Sequence, residues 1–272
     1  MTTGQITQPP DRSEEKSVLH FRVLGPLALE ADGGDDFRCG PKIARLLSLL
    51  LVRANRIVDV GTLMEELWDG DPPATGLKTV RTHVYHLRGA LERVCGAAAA
   101  RRVLLTRGSG YLLELAPDEL DLFAFEQLVG QAQVLWTEGR HDEVVDRANR
   151  ALALWRGPVL TDVRPGRILT GHVSQVQETY TRARELRVEA SLRLGRHHEV
   201  LPELRDLVSE YPLHEGFHAQ LVDALHRSGR RGEALSAFRA ARDTMHDQLG
   251  LDPSEELCRL QRAILAGARA GS

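Results

Sequence analysis

Basic side chains are concentrated in one stretch of the chain, between residues 76 and 112. The stretch holds seven basic residues and one acid, Glu92, although the whole chain has a formal net charge of −3 at pH 7. Clustered Lys and Arg side chains bind polyanions such as the nucleic-acid backbone. The local charge therefore predicts a nucleic-acid site, and the more acidic remainder masks it in the total. The basic residues are Lys78, Arg81, Arg88, Arg93, Arg101, Arg102 and Arg107.

The basic stretch begins with a helical pattern and ends with a strand pattern. Apolar residues spaced along one helical face predict a helix from near residue 74 or 75, with Leu77, Val80, Val84, Leu87 and Leu91 buried. The residues turned away from that face are Lys78, Thr79, Arg81, Thr82, Tyr85, His86 and Gly89. Two strands follow, joined by a glycine-containing turn, and they are predicted at Val103–Thr106 and Tyr111–Leu115 with the turn at Arg107–Gly110.

Short strands and two further helices are predicted upstream of the basic helix. Pro41 suits the first turn of a Leu-rich helix, and Asp59 suits the N-cap of a short helix that the sequence DGDPP ends. The predicted order is that of a winged helix, with strands followed by a helix, a short helix, a long basic helix and a hairpin. The predicted strands are Val18–Gly25, residues 27–30 and Phe37–Cys39, with a turn rich in Gly and Asp at residues 32–36.

Beyond residue 116 the chain has the pattern of repeated helices. Gly195 and Gly229 stand 34 residues apart in matching contexts, and this is the period of tetratricopeptide repeats. A third copy surrounds Gly139, 56 residues before Gly195. In this alignment Val200 matches Ala234 and Leu204 matches Phe238, as buried positions of a second repeat helix. The repeats predict a short all-helical solenoid that holds a partner.

Composition is that of an ordinary globular protein, with 42% hydrophobic and 27% charged residues. The length predicts two domains. The three cysteines form no CxxC pair, and no apolar run has the length of a membrane span, so we expect a cytoplasmic protein. We predict a mainly α fold with a small β component: a disordered arm at 1–17, a winged helix-turn-helix domain at 18–115, and an all-α tetratricopeptide-like domain at 116–272.

These residues also have simpler or competing interpretations. The basic run can be a solvated helix face, and Gly108-Ser109-Gly110 can suggest a phosphate loop, although it joins two strands and lacks a third glycine. His214 and His218 have a spacing that can seat a metal, but no further ligand stands at a suitable spacing. No acid-base pair or nucleophile motif stands out. We therefore expect no enzyme, no cofactor and no metal.

The combination of motifs resembles the Streptomyces antibiotic regulatory protein family (SARP), whose members join an OmpR/PhoB-type winged helix to a bacterial transcriptional activation domain. The N-terminal motifs are the GPK-led Leu-rich helix at 40–55, LWDGDPPATGLKTVRTHVYHLRGAL at 67–91, and LLTRGSGYLLEL at 104–115. The C-terminal motifs include DLFAFEQLV at 121–129, ALALWRGPVLTDV at 151–163 and LGLDPSEEL at 249–257. The resemblance covers nearly all of the chain after Val18.

The resemblance implies a transcriptional activator of antibiotic biosynthesis genes. Such a protein binds tandem direct repeats in double-stranded promoter DNA as a homodimer and recruits RNA polymerase holoenzyme through its sigma factor or alpha subunit; it acts at the nucleoid. Competing functions are a ligand- or protein-sensing winged-helix repressor and a tetratricopeptide adaptor that binds protein instead of DNA.

The resemblance also assigns DNA contacts. Thr79, Thr82 and His86 form a stripe expected to face bases, where family members commonly have Arg in place of His86, so a different base preference is predicted. The flanking residues expected at phosphates are Lys78, Arg81, His83, Tyr85 and Arg88. The predicted wing is Arg107, Gly108, Ser109 and Gly110, with Arg107 suited to the minor groove.

Overall fold

The computed structural model describes residues 19–31 and 37–266. The chain forms two compact units. The first comprises the described residues up to Leu122 together with Gly157–Val173, and the second comprises Phe123–Arg156 and the described residues from Ser174 onward. The predicted arm at 1–17 and the predicted turn at 32–36 lie outside the described residues.

The described residues of the first unit form two small antiparallel sheets, three complete helices and the first residues of two further helices. Strands β1 and β2 pair with each other, and a three-stranded sheet has the order β3-β5-β4. The elements are β1 (Leu19–Arg22), β2 (Ala28–Ala31), α1 (Pro41–Val52), β3 (Ile57–Asp59), α2 (Val60–Trp68), α3 (Gly76–Val103), β4 (Leu104–Arg107) and β5 (Gly110–Leu113). This confirms the winged-helix order that the sequence predicts.

Apolar faces of α1, α2 and α3 supply the core of the first unit. The predicted inner face of α3 is buried at Val80, Val84, Leu87 and Leu91. The prediction is wrong for Leu77, whose side chain is 44% exposed. Gly76 is buried instead, because the end of the Met64 side chain and Pro72 lie against the first turn of α3.

Two of the strand predictions need correction. Phe37–Cys39 forms no strand, whereas Ile57–Asp59, for which no strand was predicted, forms β3 and pairs with β5. The segment is only three residues long, too short for a pattern that distinguishes a strand from a loop. The predicted N-cap at Asp59 is confirmed, since its carboxylate accepts the Thr62 backbone N–H at 3.0 Å and the Thr62 hydroxyl at 2.6 Å. These bonds lower the pKa of Asp59.

The segment Gly157–Val173 is held in the first unit by a buried carboxylate. Glu66 of α2 is 0% exposed. Its carboxylate accepts backbone N–H groups from Gly166, Ile168 and Leu169 at 2.6, 3.1 and 2.9 Å. Those amides belong to the start of helix α6 (Arg167–Arg193), where backbone donors have no partner inside the helix. The first unit is therefore discontinuous in sequence, with Glu66 as the N-terminal cap of α6.

Helices account for the regular structure of the second unit. The helices from residue 121 onward are α4 (Asp121–Thr137), α5 (His141–Leu152), α6, α7 (Leu201–Glu210), α8 (Glu215–Arg227), α9 (Arg231–Leu249) and α10 (Glu255–Leu265). Val200, Leu204, Ala234 and Phe238 are all buried, as the repeat alignment predicts.

The glycines that revealed the repeat end helices in the same way. Gly139, Gly195 and Gly229 have φ of 74°, 78° and 76°, a conformation that glycine adopts at little cost. After each of them, the next residue donates its N–H to the carbonyl five residues back, and the three pairs are Arg140 to Leu135, Arg196 to Ser191 and Arg230 to Leu225. This is the Schellman motif. The repeated glycine therefore encodes a repeated helix end.

The two histidines whose spacing can seat a metal, His214 and His218, make other contacts. His214 Nε2 lies 3.0 Å from Glu185 Oε1, and His218 Nε2 lies 2.9 Å from the Pro212 carbonyl oxygen. Among the described residues, no group of three or more His, Cys, Asp and Glu side chains is placed to hold a metal ion. Within those same residues, none of the helices is long and apolar enough to cross a membrane.

Candidate nucleic-acid interface

The first part of α3 presents a polar ridge to solvent. Its last residue before the interruption is Cys95, because Gly96 has non-helical backbone angles of φ 79° and ψ 161°. On the predicted interface, Thr79, His83 and Arg88 are half-buried. The exposed members are Lys78, Arg81, Thr82, Tyr85 and His86. The structure thus places five of the eight predicted recognition residues fully on the surface of one helix.

The two threonines of the predicted base-reading stripe use their hydroxyl hydrogens within the helix. Thr82 Oγ1 donates to the Lys78 carbonyl at 3.0 Å, and Thr79 Oγ1 donates to the Thr75 carbonyl at 3.1 Å. Each hydroxyl oxygen can still accept a hydrogen bond, and each side chain keeps its methyl group. Outward recognition by these residues is therefore limited to accepting a hydrogen bond or making an apolar contact.

The two histidines of the helix have different surroundings. His83 Nε2 is buried without a hydrogen-bond partner in the described part of the chain. Burial lowers the pKa of His83 below its ordinary value of 6.5, and the nearby Lys42 ammonium lowers it further. The His83 ring is therefore neutral at pH 7. His86 is exposed, and its ring meets the ring of Tyr85 edge-on with centroids 5.6 Å apart.

Arg88 ties the helix to the hairpin that follows it. Its guanidinium donates to Thr106 Oγ1 at 2.8 Å and to the Leu104 carbonyl at 3.4 Å, both on β4. The same group lies 6.0 Å from the centre of the Tyr111 ring on β5. Sequence reasoning assigned Arg88 a phosphate contact and missed Thr106 altogether. In the structure this arginine fixes the position of the hairpin against α3.

The wing is a tight hairpin whose turn is shorter than predicted. Arg107 and Gly110 face each other as the last pair of β4 and β5, which leaves Gly108 and Ser109 as the turn. Gly108 has φ of 55°. Gly110 is buried rather than open to solvent, and a Cβ added there would lie 2.4 Å from the Val58 carbonyl oxygen. Gly110 therefore lets β3 approach β5, and only the other three wing residues are exposed.

Three exposed cations of this surface have no internal counter-charge. Lys78, Arg81 and Arg107 are exposed, and no ion pair joins any of them to a carboxylate among residues 19–31 and 37–266. Cations that are not paired internally remain available to neutralise phosphates. The ridge of α3 and the hairpin tip thus form one positively charged surface, which we call the basic face.

Comparison with known proteins gives the same two-part organisation. Residues 34–113 match the family model for the C-terminal domain of transcriptional regulatory proteins, and residues 120–265 match the bacterial transcriptional activator domain. The chain is 39% identical over 250 residues to the regulatory protein DnrI of Streptomyces peucetius, covering 91% of this chain and 92% of DnrI. It is 32% identical over 271 residues to the transcriptional regulator RedD of Streptomyces coelicolor, covering 97% and 77% of the two chains.

A solved structure has the same fold. The complex of Mycobacterium tuberculosis EmbR with a low-affinity phosphopeptide aligns with a TM-score of 0.85 and 32% identity, over 92% of this chain. The match spans 66% of the EmbR chain. Fold and matches together define a transcriptional regulator with an OmpR/PhoB-type winged helix followed by a helical activator domain. The chain belongs to the Streptomyces antibiotic regulatory protein family, which confirms the family expected from its motifs.

Proposed function

We propose that this protein activates transcription of secondary-metabolite genes by binding promoter DNA through the basic face. In this proposal α3 lies in the major groove and the hairpin tip lies in the adjacent minor groove. The observation that carries it is the arrangement of Lys78, Arg81 and Arg107, three exposed cations of the basic face that form no ion pair with the part of the chain that the structure describes. A helix with a polar outer ridge fits the major groove, and phosphate contacts on both sides fix its register.

The proposal assigns one function to each of the two predicted domains. We assign DNA binding to residues 18–115 and activation to residues 116–272, with protomers side by side as a homodimer on tandem direct repeats. The helical repeats provide the contact with RNA polymerase holoenzyme, at its sigma factor or alpha subunit. The protein acts in the cytoplasm at the nucleoid, and the proposal assigns it no enzymatic activity and no cofactor. The family and the similarity to DnrI and RedD support this assignment.

In vitro transcription tests the activating role. A promoter with direct repeats is transcribed by purified holoenzyme with and without the full chain, and the product is quantified. We expect more transcript when the protein is present and no increase when the repeats are scrambled. Reduced transcript on the intact promoter would instead identify a repressor.

Arg107 and His86 are expected to affect DNA binding differently. Arg107→Ala removes a phosphate-facing charge, so affinity falls on specific and random DNA alike, and the slope of log K against log salt becomes shallower by about 1. His86→Ala changes the base-facing ridge and mainly alters the preferred sequence. Fluorescence anisotropy over a salt series, with matched and scrambled duplexes, measures both effects.

A matched control for these two variants is Arg239→Ala, in α9 of the second unit. Arg239 is exposed, and within the described ranges its guanidinium donates to the Leu235 carbonyl of its own helix at 3.3 Å. This variant should leave the salt slope unchanged. Equal losses on matched and scrambled duplexes for both Arg107→Ala and His86→Ala would contradict the proposed division between phosphate and base contacts.

A further inference from the structure

The side of α3 that faces away from the core carries an aromatic ring next to a threonine. A helix turns by about 100° per residue, so this side, opposite the buried Val84 and Leu87, includes Thr82 and Tyr85 together with Lys78, His86 and Gly89. The Tyr85 side chain is 73% exposed, the largest fraction among the large hydrophobic side chains of the described residues. Burying an aromatic ring is favourable, so a partner that packs on this side of α3 gains free energy by covering the Tyr85 ring.

The Thr82 and Tyr85 side chains carry none of the groups that read guanine or adenine through paired hydrogen bonds. Bidentate recognition of guanine uses Arg or Lys, and that of adenine uses Asn or Gln. The exposed cations Lys78 and Arg81 remain available for such contacts or for phosphates, whereas Arg88 is held by hydrogen bonds to β4. The Thr82 hydroxyl hydrogen is directed to the Lys78 carbonyl. Thr82 and Tyr85, three residues apart on one face of the helix, therefore present a methyl group and an aromatic ring.

In the major groove, the C5-methyl group of thymine is the one apolar group on the base edges. We infer that Tyr85 reads this methyl group, and that Tyr85 is a specificity-determining residue for a thymine at the centre of the bound site. The inference rests on the proposed DNA-binding function. The ring of Tyr85 also meets the ring of the exposed His86 edge-on, with centroids 5.6 Å apart.

The test compares thymine with deoxyuridine, which differs only by the missing methyl group. A preferred site is first selected from random duplexes with the full chain and mapped by footprinting. Each thymine in the protected major groove is then replaced singly by deoxyuridine, and affinity is measured by anisotropy at fixed salt. We expect a loss of about fourfold at one or more positions per protomer, the value of one buried methyl group.

Two substitutions assign that loss to the ring. Tyr85→Ser should bind thymine and deoxyuridine duplexes equally, whereas Tyr85→Phe should keep the fourfold preference because it keeps the ring. An unchanged thermal midpoint for both variants shows that they fold. A uniform loss for Tyr85→Phe on every duplex, with no methyl preference left, would assign the phenol a phosphate contact and overturn the inference.

The failure of the inference is distinguishable from the failure of the proposed function. If the wild-type chain selects a site but binds both bases equally, or if the site has no thymine in its protected major groove, Tyr85 does not read the methyl group although DNA binding stands. Methyl preference that persists in Tyr85→Ser overturns the inference as well. If no site is selected and no footprint forms, the proposed function fails and the inference fails with it.

Discussion

Replacing Glu66 by alanine is expected to lower the free energy of unfolding of the first compact unit by about 3 to 5 kcal/mol. The substitution removes the carboxylate that caps α6, and it leaves the backbone N–H groups of Gly166, Ile168 and Leu169 without this acceptor. Glu66 is fully buried, so water replaces its bonds poorly. Glu66→Gln keeps one acceptor oxygen and should lose less. Urea unfolding of the full chain, followed by amide exchange in residues 160–173, measures the effect.

The neighbouring residue provides a matched control. Glu65 stands on the same helix and pairs with Arg167 at the start of α6, but its side chain is 36% exposed and that of Arg167 is 71% exposed. Exposed ion pairs contribute about 0 to 1 kcal/mol, so Glu65→Ala should have little effect. Equal losses for both variants would show that general charge near the helix start, rather than the buried cap, stabilises the segment.

Replacing Gly110 by alanine is expected to destabilise the wing by about 3 kcal/mol and to weaken DNA binding through loss of the wing's position. The added Cβ would lie 2.4 Å from the Val58 carbonyl oxygen and 3.0 Å from Asp59 Cα, both backbone atoms of β3. Since backbone cannot rotate away as a side chain can, β3 must separate from β5. Faster amide exchange in residues 57–59 and 110–113 and a lower thermal midpoint are the expected observations.

Gly108→Asn is the control for that substitution. Gly108 lies in the same hairpin, a Cβ added there would meet nothing within 4 Å, and its φ is 55°. Asparagine tolerates this left-handed conformation better than other side chains, so the loss should be about 1 kcal/mol or less. A wing that stays paired in Gly110→Ala would contradict the steric account.

Local patterns predicted those parts of the fold that depend on neighbouring residues. The apolar spacing of α3 predicted its buried face from Val80 onward, because a helix repeats its environment every three to four residues. The glycines at 139, 195 and 229 predicted the repeat, because each helix end needs the same backbone conformation there. Asp59 was recognised as an N-cap because the cap is made by Thr62, three residues away.

Contacts between distant residues were not predicted. Glu66 looks like an ordinary acid of a surface helix, and its partners lie 100 to 103 residues further along the chain. Strand β3 exists because β5 pairs with it, and three residues carry no periodic signal of their own. For the same reason, nothing in the sequence placed Gly157–Val173 in the first unit. The family resemblance assigned this segment to the C-terminal domain instead.

The candidate site shows the same limit at the level of side chains. Charge and helical spacing identified the surface from residues 78–110, but they could not show which of its side chains also bond within the protein. In the structure, Arg88 donates a hydrogen bond to Thr106, and Gly110 is buried against β3. The family resemblance placed Tyr85 among the flanking residues. Its exposure of 73% is visible only in the structure.

Footprinting across a salt series tests the central claim, that the basic face binds DNA. The full chain is bound to its selected duplex, hydroxyl-radical protection is mapped, and affinity is measured as ionic strength increases. We expect protected sugars along the backbone that borders one major-groove segment and in the neighbouring minor groove. We also expect log K to fall linearly with log salt, with a slope of at least about 3 per protomer for the cations Lys78, Arg81 and Arg107. Absence of protection, or binding that does not depend on salt, would contradict it.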